Sequence, residues 1–293
     1  MSMTFYTPLK LPLPSGLQNK GATCWLNALL QLTLSLPALH ILSDEIIHGS
    51  TRNKFIKLLA KLYDDPSKSD NLNAIHKYIV DNYGSLSPTG LTSQECALEG
   101  YDHIIDSLKN DKLIRLFTTV YLDSFDCPKC HKEMNATRDI AYRINLAIPP
   151  GTQAEFEEYV LNRVNIIESY KCDECHQISA NIPRISRLRQ VNEILVFSFP
   201  KFEEKHTYWF PQNFSIPYAK NNQNGRLEYK LVAKIEHSGT MNGGHYYAHC
   251  LRKTPANGEQ CVLLNDSSVA VGNLNPSAET FIIAYHVARF ITQ

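Results

Sequence analysis

Between about Leu26 and Leu116 the apolar positions of this chain return every three or four residues, the period of an α-helix with one buried face. The stretch "NKFIKLLAKLY" sets Phe55, Leu58, Leu59 and Leu62 on one side, and "NLNAIHKYIVDNY" does the same with Leu72, Ile75, Tyr78 and Ile79. The intervening "DDPSKSD" and "YGSLSPTG" are loops by composition. After Leu116 the period falls to two. In "DIAYRINLAI" the residues Ile140, Tyr142, Ile144, Leu146 and Ile148 take every second place, predicting one strand that Pro149, Pro150 and Gly151 stop. A short amphipathic helix follows in "AEFEEYVLNRV". Then "EILVFSF", "RLEYKLVAKIE", "GHYYAHCLR", "CVLLND" and "TFIIAYHVAR" read as strands. A helical first third, a β extension and a mainly antiparallel sheet predict an α+β architecture, with no internal repeat or low-complexity segment.

Composition changes this picture little. With 293 residues, 43% of them hydrophobic, the chain can bury a sizeable core. Twenty-nine basic residues balance 29 acidic ones, so total charge points to neither nucleic acid nor an anionic membrane. The N-terminal "MSMTFYTPLKLPLPSG" lacks the apolar core of a secretory signal, and no later apolar run reaches the ~18–20 residues of a membrane span. The expectation is an intracellular protein, cytoplasmic or nuclear, and a monomer.

The eight cysteines change it more. Cys127 and Cys130 form one C-x-x-C pair and Cys172 and Cys175 a second, with 41 residues between them, while Cys24, Cys96, Cys250 and Cys261 stand singly. Without a secretion signal such pairs read as metal ligands before disulfides, because two C-x-x-C turns complete a tetrahedral Zn²⁺ site. Free thiols or redox pairs are the alternative. His131 and His176, each directly after a pair, are secondary ligand candidates.

Cys24 lies where "GLQNKGATCWLNALLQ" passes from a turn at Gly21 into an apolar helix, implied by Trp25, Leu26, Ala28, Leu29 and Leu32 and running to Pro37. Unpaired N–H groups at a helix start stabilise a thiolate. On its own such a cysteine reads as an ordinary buried residue. A base elsewhere alters that: "HSGTMNGGHYYAHC" puts His245 behind two glycines at the start of a strand, and "LLNDSSV" ends a strand with Asn265 and Asp266. Either could orient the imidazole by accepting its Nδ1–H. Cys, His and Asn or Asp, far apart in sequence, are the set of a papain-type hydrolase.

These two stretches closely resemble the cysteine and histidine boxes of the ubiquitin-specific proteases, and the resemblance runs from Gly16 to Val287. It implies a papain-like cysteine protease fold in one catalytic domain over 1–293. The helical thumb would be 16–116, zinc-ribbon β fingers 117–190 and an antiparallel β palm 191–293. It further implies Cys24 as nucleophile, His245 as general base and acid, Asn265 as third member with Asp266 beside it, and Asn19 as an oxyanion donor. "QECALEGYDHIID" is similar to the family's third motif, with Cys96 in place of the usual Asp and Gly100 in place of the usual Phe, leaving Glu99 to meet the modifier's tail. Gly243, Gly244 and Tyr246 would line the tail channel. The aromatics Tyr208, Trp209 and Phe210 fall where the family has a mobile loop, or else form a hairpin's core. The implied partner is ubiquitin with ubiquitinated proteins; the implied cofactor is structural Zn²⁺ at Cys127, Cys130, Cys172 and Cys175, with no catalytic cofactor. The alternatives are another ubiquitin-like modifier, a viral-type polyprotein protease and a ubiquitin-binding module without turnover.

Overall fold

The helical patterns of the first third fold around one another before any strand begins. The fold is seen in a computed structural model describing residues 13–36, 53–83, 93–108, 113–134, 136–146, 151–200, 207–220, 223–240, 243–254 and 258–292. Pro37 and the segment 147–150, including Ile148, lie outside them. Helix α1 (Cys24–Leu34) is buried on every side. Helices α2 (Lys54–Asp64) and α3 (Ser69–Asn82) pack on each other through the predicted apolar faces, with Phe55, Leu59, Leu62, Leu72, Ile75 and Ile79 all buried. Asn53 caps α2 by accepting from the Phe55 and Ile56 N–H groups. Helix α4 (Ala97–Leu108) packs on α1, and the short α5 (Ile114–Phe117) leads into the strands.

Two sheets follow. The smaller joins β1 (Thr119–Ser124), β2 (Thr137–Ala141), β4 (Asn162–Lys171) and β5 (Ile178–Gln190) in the order β2-β1-β5-β4, all antiparallel. The larger has the order β11-β10-β9-β8-β12-β6-β3, from β3 (Ile144–Asn145), β6 (Ile194–Ser198), β8 (Gln223–Thr240), β9 (Gly243–Thr254), β10 (Gly258–Asn265), β11 (Ser268–Val271) and β12 (Thr280–Thr292). Strand β7 (Asn213–Lys220) and then β9 take successive halves of one edge of the long β8. Helix α6 (Gln153–Leu161), opened by a Thr152–Glu155 capping box, drops Phe156 into an aromatic cluster with Phe197, Phe214 and Tyr285.

One expected strand is two. "DIAYRINLAI" breaks at Tyr142 and Arg143: its first part is β2 in the small sheet, its second is β3 in the large one. The Tyr142 carbonyl accepts from the Tyr101 hydroxyl and Arg143 pairs with Asp102, so α4 holds the bend. Ile140 is consequently 52% exposed instead of core. Among the described residues, no helix is long and apolar enough to cross a membrane.

What positions the site is the packing of α1 across β9. The buried Arg252 of β9 donates to the Gln31 carbonyl and side chain at 2.9 and 2.7 Å and to the Ser35 hydroxyl. The Gln31 amide in turn donates to the Ser15 carbonyl at 2.7 Å, tying the segment before Cys24 to the same strand.

Candidate active site

Cys24 is the first residue of α1, and the turn before it is built on Asn19. The Asn19 Oδ1 accepts from the Gly21 and Thr23 N–H groups and from the Thr23 hydroxyl, at 3.1–3.2 Å. Thr23 therefore braces the turn instead of capping the helix. This fixes the amide nitrogen of Asn19, which donates to Asp266 Oδ2 at 2.9 Å and keeps a second N–H.

Strands β9 and β10 bring His245 and Asn265 together, with Nε2 of the imidazole 2.6 Å from the Asn265 Oδ1. Because an amide oxygen only accepts, Nε2 carries the proton and Nδ1 keeps its lone pair. The expectation that the third member would hold Nδ1–H is corrected: the ring is turned the other way, with Nε2 on Asn265. Asp266 lies farther off, its Oδ2 3.9 Å from Nε2. Its carboxylate serves the loop before Cys24, accepting from Asn19 at one oxygen and from Asn27 Nδ2 at the other, 2.8 Å away. Its carbonyl also accepts from the Leu17 N–H at 2.8 Å.

Cys24 is 5% exposed, and burial pushes its thiol up. The Tyr246 N–H reaching it pulls the other way, the Asp266 charge raises it again, and the Trp25 and Cys24 N–H groups at the helix start lower it. The expected helix-start effect is thus present but outweighed, because desolvation of a thiolate costs more than these donors return. A thiol that burial keeps protonated attacks only when a base takes its proton at that moment.

Gln94, just before α4, contributes more than the sequence reading gave it. Its Oε1 accepts from the Gly244 N–H at 2.8 Å, and its Nε2 lies 3.1 Å from the His237 Nε2. Gly244 makes this possible, since a Cβ there would come within 2.5 Å of the His237 ring. Gly243 and Gly244 are exposed, as is Glu99 in the first turn of α4. Tyr246, expected on the substrate side, is 3% exposed, with its ring 4.3 Å from that of His237 and 5.8 Å from Phe281. That side chain is core, because even-numbered positions of β9 face α1 and α4. Tyr208 and Phe210 are also buried, against Phe199. Asn27 and Gln94 are the residues the sequence reading missed; a polar amide inside the apolar run of α1 was the one available signal.

In the connections between strands of the small sheet, the four paired cysteines bring their sulfurs within 4.8 Å of one another. Cys127 to Cys175 and Cys130 to Cys172 are each 3.8 Å, too long for a disulfide. A tetrahedron of ~2.3 Å metal–sulfur bonds has edges of about 3.8 Å, so the set fits one ion. Each C-x-x-C turn closes through the residue after it: the His131 and His176 N–H groups return to the Cys127 and Cys172 carbonyls at 2.9 Å. Both histidines have φ near +58°, the left-handed region in which glycine often sits, and they stay outside the sulfur cluster. Lys132 and Glu174 pair across the two turns.

Comparison with known proteins agrees with this geometry. The sequence model for ubiquitin carboxyl-terminal hydrolase matches residues 15–279. Among curated relatives, human ubiquitin carboxyl-terminal hydrolase 40 is 22% identical over 80% of this chain and 22% of its own length. Human ubiquitin carboxyl-terminal hydrolase 17-like protein 6 is 25% identical over 94% of this chain and 77% of its own. The chain thus spans about a fifth of the first relative. Among solved structures, the SAGA DUB module of Ubp8, Sgf11, Sus1 and Sgf73 bound to monoubiquitin superposes with a TM-score of 0.75 at 19% identity, covering 97% of this chain and 71% of that one. The same module bound to ubiquitin aldehyde gives the same values. The likeness is one of fold, the α+β fold of those modules. With a family match spanning both the Cys24 loop and the His245–Asn265 pair, the chain belongs to the ubiquitin carboxyl-terminal hydrolase family.

Proposed function

We propose that this chain is a thiol-dependent hydrolase that cleaves the bond after the C-terminal glycine of ubiquitin. The observation that carries the reading is the His245 ring, held through Nε2 by Asn265, on the strand whose next backbone N–H reaches the Cys24 sulfur. In the reaction, Nδ1 of His245 takes the Cys24 proton as the sulfur attacks the carbonyl, then gives it to the leaving amine. Water afterwards releases the thioester. The free N–H of Asn19 and the Cys24 N–H are the donors for the oxyanion, each such donor being worth ~10²–10³ in rate. Asn265 orients the ring without a charge, and Asp266 orients Asn19. Gly243 and Gly244 leave the backbone bare for a slender glycine tail, and the exposed Glu99 is the acidic group for basic residues in it.

Zn²⁺ is the ion we assign to Cys127, Cys130, Cys172 and Cys175, on the four-thiolate donor set. Its role is structural, joining the β1–β2 and β4–β5 connections. The exposed apolar side chains Ile140, Val164 and Ile166 of that sheet are a surface for the body of the modifier. Working as a monomer in the cytoplasm or nucleus is part of the same proposal.

Release of a fluorophore amide-linked to the ubiquitin C-terminus tests the reading. The wild-type chain turns it over, while Cys24→Ala or His245→Ala lowers kcat by about 10³-fold or more. Turnover unaffected by Cys24→Ala, or none from folded wild-type protein, contradicts it.

A further inference from the structure

On β9 the side chains of His245, Tyr247 and His249 share one face at two-residue spacing. The His245 and Tyr247 ring centroids are 6.3 Å apart with planes at 26°, and Tyr247 and His249 are 5.8 Å apart. Across the ladder, Glu236 of β8 stands opposite Tyr247 and Lys234 opposite His249. Lys234 and Glu236 are 2% and 4% exposed, an uncommon degree of burial for charged groups.

Every polar atom in this layer that bears on His245 is held. Lys234 Nζ donates to Glu236 Oε1 and to the Asn275 carbonyl, both at 2.8 Å. His249 Nε2 donates to Glu236 Oε2 at 2.9 Å, while its Nδ1 accepts from the Asn273 N–H at 3.2 Å. The Ser277 hydroxyl donates to Glu236 and the Tyr247 hydroxyl to Glu279. Burial alone would raise the Glu236 carboxyl, but the His249, Lys234 and Ser277 donors outweigh it and hold it at about 2. Buried ionic clusters of this kind stabilise a fold no better than apolar packing does. What a fully bonded one does supply is a single rigid geometry.

The need for rigidity lies at His245. Its side chain is 39% exposed, and the neutral Asn265 holds it through one hydrogen bond, so the ring can swing about its side-chain torsions toward solvent. We infer that Tyr247 is a positioning residue for His245: pinned through its hydroxyl to Glu279, the phenol ring backs the imidazole and keeps Nε2 on Asn265 and Nδ1 toward Cys24. The buried layer beneath fixes Tyr247 in turn, from Lys234 through Glu236 and His249. The turnover readout rests on the hydrolase reading above; a second readout does not.

The test compares Tyr247→Phe, which keeps the ring, with Tyr247→Leu, which keeps most of the volume but not the flat face. On ubiquitin with a C-terminal fluorophore, Tyr247→Leu lowers kcat about 10- to 100-fold with KM within about twofold, the loss expected of a misplaced base. Tyr247→Phe, short of one hydrogen bond, stays within about fivefold of wild type. The rate of Cys24 alkylation by iodoacetamide, followed at its peptide by mass spectrometry without any ubiquitin, falls in the same order. If Tyr247→Leu does not fold, Tyr247→Met, which also keeps much of the volume without a flat face, must show the kcat loss in its place. A loss carried by KM, or kcat and alkylation both at wild-type level in the folded variant, overturns the inference. Should wild type show no turnover, the hydrolase reading fails and alkylation alone decides Tyr247.

Discussion

Asp266 connects the two halves of the candidate site. It sits at φ +48°, uncommon for a side chain with a Cβ, in the tight turn between β10 and β11. Each carboxylate oxygen takes an amide from the Cys24 side, Asn19 at 2.9 Å and Asn27 at 2.8 Å. The same charge raises the Cys24 thiol. Two opposite effects of Asp266→Asn follow. Removing the charge lowers the thiol's pKa, so the pH midpoint of Cys24 alkylation moves down. Loosening Asn19 removes an aligned oxyanion donor, so kcat on a ubiquitin amide falls about 10- to 100-fold. An upward or absent shift in the alkylation midpoint contradicts the electrostatic part. Cys24, His245 and Asn265 were legible in the sequence because each sits inside a local pattern of glycines, apolar runs and strand ends. The ties of Asp266 were not, since its partners lie 247 and 239 residues away and no local pattern encodes such a pairing.

Among the elements, the contact of α1 with α4 explains the glycine in "QECALEG". A Cβ at Gly100 would stand 2.5 Å from Trp25 Cζ3 and 2.8 Å from Leu29 Cδ1, so Gly100 is what lets the buried Trp25 lie between the helices. Gly100→Ala gains about 1 kcal/mol of helix propensity but overpacks a filled core, which costs roughly 1–3 kcal/mol. The expected result is a lower Tm; an unchanged or raised Tm in thermal unfolding contradicts the packing account. In the small sheet the paired turns predict one bound metal ion per chain, zinc by elemental analysis. Chelation or Cys172→Ser then releases it and lowers the unfolding temperature, because ligand set and fold form together. Folded protein without metal counts against this. The helices and the cysteine turns were legible from period and spacing. The break between β2 and β3 was not, because alternation records which residues face apart and not which sheet they join; Tyr101 and Asp102 of α4 decide that.

At the scale of the whole molecule, the two halves of the candidate site are built on separate layers and then locked together. Cys24 and Asn19 belong to the helical layer, and His245 and Asn265 to the large sheet. Arg252 and Gln31 bridge them with buried hydrogen bonds, and Asp266 with a part-buried one. The α+β class was legible from the change of period near Leu116. The direction of the His245 ring was not, being set by strand register and the Asn265 contact. The proposed thiol chemistry rests on the His245–Asn265 contact and the Asn19–Asp266 tie that this packing holds. The most direct measurement is incubation, under reducing conditions, with ubiquitin bearing a C-terminal electrophile, followed by mass spectrometry of the intact chain and its peptides. The account predicts one adduct per chain, located at Cys24 and lost in Cys24→Ala; no adduct on folded protein, or an adduct at Cys96, Cys250 or Cys261 instead, contradicts it.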